Sequence, residues 1–258
     1  PSAIRVVMLV LPNLTAAGLA VLLSRVLHEL GADVSKAREM GSYQLVELLG
    51  HGGMGEVWRA KHRRLAQPAA IKLVKPNKLG ESLSGSANVL KRFEREAQAT
   101  AMLNSQHTIQ IYDFGCTEDG TLYYVMELLD GVDLESLVRD HGPIAPERVV
   151  YMLRQICESL GEAHTAGLVH RDIKPANIYV CRLGTRHDCI KVLDFGIVRV
   201  QGGSDATKLT ADNAVTGTPA YMAPEVITES TEPDERVDIY ALGCVAYWLL
   251  TGETVFTG

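Results

Sequence analysis

The chain of 258 residues carries 25 Lys and Arg against 31 Asp and Glu, a formal net charge of −6, and 47% of its residues are hydrophobic. These values describe a globular chain of one large domain or two smaller ones, and the acidic balance argues against a nucleic-acid-binding protein. The five cysteines are scattered without a CxxC pair, which argues against a disulfide framework and favours a reducing compartment. Cys181 and Cys189 flank His187 at a spacing that matches no zinc site, so we predict a hairpin with incidental thiols.

The first segment differs from the rest of the chain. Residues 6–23 form a run of 18 residues without a charge, near the minimum for a membrane-spanning helix, although Pro12 and Asn13 interrupt it. Basic residues follow, which favours a cytoplasmic location for the downstream chain. We predict a transmembrane helix over 1–24 and a helical juxtamembrane linker over 25–40. The alternative is a helix packed inside the protein or against a partner.

From Gly41 onward the pattern predicts an α+β fold in which a strand-rich part precedes a helical part. In the strand-rich part the predicted elements are strands 43–50, 56–62 and 69–75, helix 90–104, and strands 108–114 and 121–127. In the helical part they are helix 145–167, strands near 178–181 and 190–193, and helix 235–252. The last helix is too interrupted by Asp238 and Gly243 to predict a membrane span.

A glycine-rich segment, GHGGMG, joins the first two predicted strands, with glycines at 50, 52 and 55. Dinucleotide-binding folds share the GxGxxG spacing, but a helix follows the glycines there, whereas a strand follows them here. A loop of this kind lets the backbone approach phosphates closely. The alternative is an ordinary glycine-rich turn.

Lys72 lies on the third predicted strand, 17 residues after Gly55. A half-buried lysine needs an anionic partner, and Glu96 on the following helix is the candidate. Glu94 competes with it, but the two point in different directions on a helix, so that only one faces the strand. The alternative for Lys72 is a surface lysine whose ammonium reaches solvent.

Two clusters of polar residues complete the pattern: Asp172, Lys174 and Asn177 in HRDIKPAN, and Asp194 in DFG. Phosphoryl transfer needs a carboxylate near the acceptor hydroxyl, oxygen ligands for a metal, and a cation for the transferred group. Asp172 suits the first role, Asn177 with Asp194 the second, and Lys174 the third. The sequence therefore predicts a phosphoryl-transfer site.

Taken together, these segments resemble the eukaryotic-like protein kinase family, in its bacterial form. GHGGMGEV resembles its glycine-rich loop, AAIK its strand lysine, HRDIKPAN its catalytic loop, and DFG and APE (223–225) its remaining anchors. VDIYALG resembles the helix whose aspartate, Asp238, braces the catalytic loop. The resemblance covers 41–258 and implies a two-lobed fold, with an N-lobe over 41–129 and a C-lobe over 130–258.

The resemblance also implies ATP with Mg²⁺ (or Mn²⁺) as cofactors and assigns their contacts. Lys72, held by Glu96, joins Asp172 and Lys174 as a catalytic residue. Met126 takes the place that controls access behind the adenine, and residues 127–129 form the hinge. The implied nucleotide-binding residues are Gly50, His51, Gly52, Gly53, Met54, Gly55, Val57, Ala70, Lys72, Met126, Glu127, Leu129 and Tyr179, the last bulkier than the usual aliphatic residue.

The form of the motifs indicates the acceptor. Lys174 within HRDxKxxN, and GTPAYMAPE over 217–225, resemble kinases that act on Ser or Thr hydroxyls of proteins, including autophosphorylation of the activation loop. Arg171 then implies a phosphate partner on that loop. Thr210 is the first candidate, followed by Thr216, Thr207 and Ser204; an unmodified loop is the alternative. A pseudokinase is less favoured because Lys72, Asp172 and Asp194 are all present, and a small-molecule kinase because such enzymes lack the GTPxYMAPE segment.

The remaining expectations concern the chain's surroundings. The predicted N-terminal helix would tether a cytoplasmic kinase domain to the inner or plasma membrane, and a homodimer would serve trans-autophosphorylation. The family's last helices do not follow residue 258, so Glu225 would lack its usual arginine partner. We therefore expect a chain of these residues alone to be poorly stable and weakly active.

Overall fold

A computed structural model describes residues 39–52, 55–74, 86–117, 120–195, 219–228 and 234–256. The chain divides into two compact units. One contains the residues up to Val46 together with Ala60–Gln67, and the other contains Glu47–Arg59 and the chain from Pro68 onward. Strands β2 (Tyr43–Gly52) and β3 (Gly55–His62) contribute residues to both units.

In the smaller unit the first described strand is β1, Glu39–Met40, which pairs antiparallel with the start of β2, so that Met40 lies opposite Tyr43. Gly41 adopts a φ of 56°, which allows the tight reversal between the two strands. The linker predicted as helical over 25–40 is therefore wrong at its last two residues, because this turn returns them to β2 as a strand. Residues 25–38, and the transmembrane helix predicted over 1–24, lie outside the described residues.

The sheet of the larger unit has the strand order β2-β3-β4-β6-β5. Its further members are β4 (Pro68–Val74), β5 (Ile111–Cys116) and β6 (Leu122–Glu127), and helix α1 (Ser86–Ala101) precedes β5. The central strands β4 and β6 pair antiparallel, with Lys72 opposite Tyr124, and both are largely buried. Phe93 and Ala97 are buried residues of α1, and Phe93 joins the apolar cluster of the sheet.

The predicted strands are confirmed with one shift, since the strand predicted from residue 108 begins at Ile111. Residues 108 and 109 leave the sheet because Ile109 N donates to the Val192 carbonyl at 3.0 Å, and Thr108 forms a parallel bridge with Val192. These hydrogen bonds place the segment before β5 against the strand that leads to Asp194.

The helical part contains α2 (Leu134–His141), α3 (Pro146–Thr165), α4 (Pro224–Ile227) and α5 (Arg236–Thr251). A small antiparallel sheet of β7 (Gly131–Asp133), β8 (Ile178–Leu183) and β9 (Arg186–Val192) lies with them. The predicted helices 145–167 and 235–252 and the two predicted strands are confirmed. The sequence analysis predicted neither β7 nor α2, although Asp133 gave a signal: its carboxylate caps α2 by accepting from Ser136 N at 2.7 Å.

Buried apolar residues of α2, α3, α5 and the small sheet form one core. One face of α3 supplies much of it, with residues Val149, Met152, Ile156, Leu160 and Ala163. Burial at this spacing of three and four residues fixes the rotation of α3, and with it the face that meets the small sheet.

The β8–β9 hairpin lies where the sequence predicts it, with Cys181 and Cys189 on its two strands. Cys181 and Cys189 are opposite each other in the register, both are buried, and neither is in a disulfide. Over the described ranges no group of three or more His, Cys, Asp and Glu residues suits a metal ion. Within the same ranges, no helix combines the length and apolarity that crossing a membrane requires.

Candidate active site

The segment that contains His170 and Asp172 is anchored by one buried carboxylate at the start of α5. Asp238, 1% exposed, accepts hydrogen bonds from the backbone N–H groups of His170 and Arg171, each at 2.8 Å. Its Oδ2 also lies 2.8 Å from His164 Nε2 on α3. Arg171 adopts a φ of 63°, which is unusual for a residue other than glycine, and the bond from its own N–H holds it there.

His170 connects this loop to the strand end that carries Asp194. Its ring is fully buried, packs 4.6 Å from the ring of Phe195, and places Nε2 2.7 Å from the Leu193 carbonyl. Asp172 N donates to His170 Nδ1 at 3.2 Å, so Nε2 carries the proton and donates to Leu193. Burial lowers the pKa of His170 despite the neighbouring carboxylates, which keeps the imidazole neutral.

The predicted trio of Asp172, Lys174 and Asn177 comes together. Lys174 Nζ and Asn177 Nδ2 both donate to Asp172 Oδ2 at 2.9 Å, and Asn177 Nδ2 also donates to the Asp172 carbonyl at 2.8 Å. Pro175–Asn177 form a 3-10 turn, which brings these positions to one side of the loop. With its amide nitrogen directed at Asp172, Asn177 has its amide oxygen as the atom suited to a metal.

Asp194 is held by two donors from the large sheet. Lys72 Nζ donates to Asp194 Oδ2 at 2.5 Å, and the Tyr124 hydroxyl donates to Asp194 Oδ1. Burial pushes the pKa of Asp194 upward, but the Lys72 ammonium and the hydrogen bonds from Lys72 and Tyr124 outweigh it, so the pKa lies below its usual value. Asp194 is therefore an ionised carboxylate, which is the state that a divalent cation requires.

Lys72 itself is 8% exposed, which rules out the surface lysine considered from the sequence. The partner observed for its ammonium is Asp194, and the ion pair with Glu96 stays a prediction. Glu96 is half-buried on α1, and its spacing from buried Phe93 and Thr100 places it on the side of the helix that meets the sheet. That spacing favours Glu96 over Glu94 as the residue directed towards Lys72.

Much of the predicted adenine pocket lies in one apolar cluster. Ala70 and Met126 are paired across β4 and β6, both are buried, and Val57 and Leu129 pack against the same cluster. Tyr179 is half-buried on β8, and its pKa is raised by burial and by Asp133 and Asp194. Nucleotide contact by these residues stays a prediction.

The glycine-rich loop is described at its two ends. Gly50 and His51 are exposed, Gly52 ends β2, and Gly53 and Met54 lie outside the described residues. Gly55 begins β3, where an added Cβ would lie 1.8 Å from the Leu73 carbonyl oxygen. Close packing on β4 therefore requires glycine at 55.

Two functional candidates escaped the sequence reasoning. Tyr124 was not predicted to hydrogen-bond to Asp194, and Lys191 was not predicted to pair with Glu127. Lys191 Nζ lies 2.5 Å from Glu127 Oε1, with side-chain exposures of 8% and 16%, and Gln110 N donates to the same oxygen at 2.9 Å. Lys191 gave a signal, being a lysine inside the apolar run IKVL that precedes Asp194.

The activation-loop predictions lie outside the described residues. These are the predicted phosphorylation sites Thr210, Thr216, Thr207 and Ser204. Glu225 is described and lies half-buried in the first turn of α4.

A buried lysine, two aspartates and a carboxamide around one catalytic loop are the parts of a nucleotide-dependent phosphotransferase. The chain belongs to the protein kinase family, because the protein kinase domain model matches residues 43–258. The two-lobed fold, with a β-rich N-lobe and a helical C-lobe, is thereby confirmed.

Curated relatives are bacterial enzymes. The chain is 41% identical over 219 residues to serine/threonine-protein kinase PknB of Mycolicibacterium smegmatis, which covers 84% of this chain and 33% of that protein. It is 38% identical over 215 residues to serine/threonine-protein kinase pkn3 of Myxococcus xanthus, and this match covers 83% of this chain and 38% of that protein. The chain thus spans about a third of the length of these relatives.

Solved structures agree with this fold. The kinase domain of Mycobacterium tuberculosis PknI matches with a TM-score of 0.67 and 26% identity, over 85% of this chain and 76% of that chain. Rad53, solved in complex with AMP-PNP, matches with a TM-score of 0.65 and 26% identity, over 84% of this chain and 50% of that chain.

Proposed function

We propose that the protein is a Ser/Thr protein kinase that transfers the γ-phosphoryl group of ATP to Ser and Thr hydroxyls of proteins. The observation that carries this proposal is the convergence of Lys174 and Asn177 on Asp172 Oδ2, beside a partly buried Lys72–Asp194 pair. The named kinase relatives support it from a separate direction.

In the transfer, the acceptor oxygen forms a bond to the γ-phosphorus while the bond to the bridging oxygen of ADP breaks. Asp172 accepts the proton of the acceptor hydroxyl, and Lys174 neutralises charge on the transferred group. Lys72 moves from Asp194 to the nucleotide phosphates, because its long stem lets the ammonium reach either anion.

The donor set near Asp194 fits Mg²⁺ or Mn²⁺, since its half-buried ionised carboxylate and the amide oxygen of Asn177 are hard oxygen ligands. Such a cation neutralises charge on the phosphates when bound. Asp194 and Asn177 are the residues that would hold it.

The test is phosphate incorporation by the full-length chain with Mg-ATP, comparing wild type with Asp172→Asn. Loss of a general base lowers turnover by about a hundredfold to ten-thousandfold, and we expect a loss in that range. Asp140→Asn is the matched control, because Asp140 is exposed and pairs with Arg139 away from the loop. Incorporation that survives in Asp172→Asn would overturn the proposal.

We further propose that the enzyme modifies its own activation loop and that Arg171 receives the phosphate. Thr210 is the first site, before Thr216, Thr207 and Ser204, and a transient homodimer would allow modification in trans. Phosphopeptide mapping of the incubated chain tests the order of sites. Mixing an inactive Asp172→Asn chain with wild type tests the trans reaction, because only modification between chains labels the inactive one.

The membrane tether is also a proposal, supported by the uncharged run over residues 6–23. A kinase domain on the cytoplasmic face of the inner or plasma membrane follows from the basic residues after that run. Fractionation of cells expressing the full chain, compared with a variant lacking residues 6–23, distinguishes a tethered from an untethered enzyme. Equal recovery of the two in the membrane fraction would contradict the tether.

A further inference from the structure

Tyr124 is a buried tyrosine in the middle of β6 whose hydroxyl donates to Asp194 Oδ1. Lys72 binds the other oxygen of the same carboxylate, Oδ2, at 2.5 Å. Asp194 is thus held at one oxygen by a neutral donor and at the other by a cation. These two donors differ in how firmly the fold fixes them.

The phenol of Tyr124 is held on several sides. In the sheet, Tyr124 lies between two paired strands, opposite Lys72 on β4 and opposite Phe114 on β5. Its ring is 6.5 Å from the ring of Phe93 on α1, and it is 1% exposed. A short side chain with few rotatable bonds, packed in this way, keeps its hydroxyl at one position relative to the sheet.

Lys72 is attached to Asp194 in a different manner. Its ammonium sits at the end of a four-carbon stem, 5.9 Å from the centre of the Tyr124 ring. The stem lets that charge turn towards another anion without movement of β4. A nucleotide phosphate is such an anion, so that Lys72 is the exchangeable donor and Tyr124 is the fixed one.

We propose that Tyr124 is a positioning residue for Asp194, keeping Oδ1 attached to the sheet while Oδ2 exchanges Lys72 for the divalent cation of the ATP complex. This inference rests on the proposed function, because it supposes that Asp194 holds the cation. A neutral donor is suited to the task, since a phenol leaves the carboxylate its full charge and each carboxylate oxygen accepts more than one partner.

Removal of the hydroxyl alone isolates this role. In Tyr124→Phe the ring and its packing remain, but Asp194 Oδ1 loses a buried donor, so that the carboxylate is less precisely placed for the cation. A hydrogen bond to a charged group is worth enough to change an equilibrium by about tenfold or more. We expect the gain in nucleotide affinity that Mg²⁺ produces to fall by about tenfold.

The experiment measures binding of a non-hydrolysable ATP analogue to the full-length chain by calorimetry, in EDTA and in saturating Mg²⁺. For Tyr124→Phe we expect the affinity in EDTA to stay within about twofold of wild type. The factor by which Mg²⁺ raises the affinity should be about tenfold smaller than in wild type. Tyr123→Phe is the matched control, because this neighbour on β6 has its hydroxyl beside Gly115 and not at Asp194. Its Mg²⁺-dependent gain should equal that of wild type.

An unchanged or larger Mg²⁺-dependent gain in Tyr124→Phe would overturn the inference, the larger gain meaning that the phenol competes with the cation. If the phenylalanine variant does not fold, Tyr124→Met is measured in the same way, with the same expected loss and the same result overturning it. Because the readout is binding, its failure is distinct from failure of the proposed function, which Asp172→Asn tests by phosphate incorporation.

Discussion

The catalytic loop and the site around Asp194 are held by different kinds of contact. The loop is fixed through its backbone, since Asp238 binds the N–H groups of His170 and Arg171 from the start of α5. Asp194, by contrast, is held by two side chains of the large sheet, those of Lys72 and Tyr124, which lie 122 and 70 residues away in sequence. Backbone anchoring suits a part that stays in place during the reaction, and a side-chain ammonium suits one that exchanges partners.

The largest effect is expected from removing the anchor of the loop. Asp238→Ala leaves the buried N–H groups of His170 and Arg171 without their acceptor, and the free energy of unfolding should fall by about 4 kcal/mol. Urea denaturation of the full chain measures it. Asp234→Asn is the control, because Asp234 pairs with Arg236 near the exposed start of the same helix. A loss below about 1 kcal/mol in Asp238→Ala would contradict the anchoring role.

The exchangeable side of the comparison is tested by Lys72→Met, which keeps a long apolar stem and removes the charge. We expect turnover to fall by about a hundredfold or more, because both Asp194 and the nucleotide phosphates lose their cation. Steady-state kinetics measures the change, with Lys61→Met on the exposed side of β3 as the control. Turnover close to that of wild type would show that Lys72 serves packing rather than transfer.

A third element is the pair of Lys191 and Glu127. Like the Lys72–Asp194 pair it joins an ammonium to a carboxylate, and like the loop it includes a backbone contact, since Gln110 N donates to Glu127 Oε1. Glu127→Gln leaves the buried Lys191 ammonium without its anion, and we expect about 2 kcal/mol of lost stability together with a rise in KM for ATP that exceeds the fall in kcat. A double-mutant cycle with Lys191→Met isolates the pair. Asp130→Asn breaks the exposed pair with Arg182 and should cost under about 1 kcal/mol. Equal losses of stability in Glu127→Gln and Asp130→Asn would contradict the expectation that the buried ion pair contributes more than the exposed one.

The smallest effect is expected on the pH dependence of stability, through His170 in the catalytic loop. Because burial lowers the pKa of His170 in the folded state, the unfolded chain binds the proton more readily. The stability that neutral His170 contributes is therefore fully present above the unfolded-state pKa of 6.5, and it is lost as the pH falls below that value. Between pH 7.5 and 5.5 we expect wild type to lose about 1 kcal/mol more than His170→Gln. The exposed His141→Gln should keep the wild-type dependence, and identical slopes for all three proteins would exclude His170 as the cause.

The same difference in contacts explains what the sequence could predict. Asp172, Lys174 and Asn177 lie within six positions, so a loop of any compact shape brings them near one another, and the structure does so. Tyr124 and Asp194 are 70 positions apart and meet because Leu193, next to Asp194, packs against the apolar cluster that contains β6. No periodicity reports such a contact. Likewise, the start of β5 shifted to Ile111 because a bond to Val192, more than 80 positions away, draws residues 108 and 109 out of the sheet.

Local signals also limited the prediction of short elements. Strand β1 is two residues long and depends on the turn at Gly41. The helical periodicity of the preceding residues therefore led to the prediction of a helix at this position. Strand β7 and helix α2 follow one another without a loop, so that the change of period from two to 3.6 falls at a single residue, Asp133. The long helices α3 and α5 were predictable because each repeats its apolar spacing over several turns.

The packing of Gly55 affects how saturation mutagenesis of the glycine-rich loop should be interpreted. Any side chain at 55 would collide with the Leu73 carbonyl, whereas an added Cβ at Gly50 meets no atom of the described residues within 4 Å. A growth or activity screen would therefore score the two glycines very differently, even if both touched the nucleotide equally. Intolerance at 55 reports the fit between two strands, and only tolerance at 50 would carry information about the ligand.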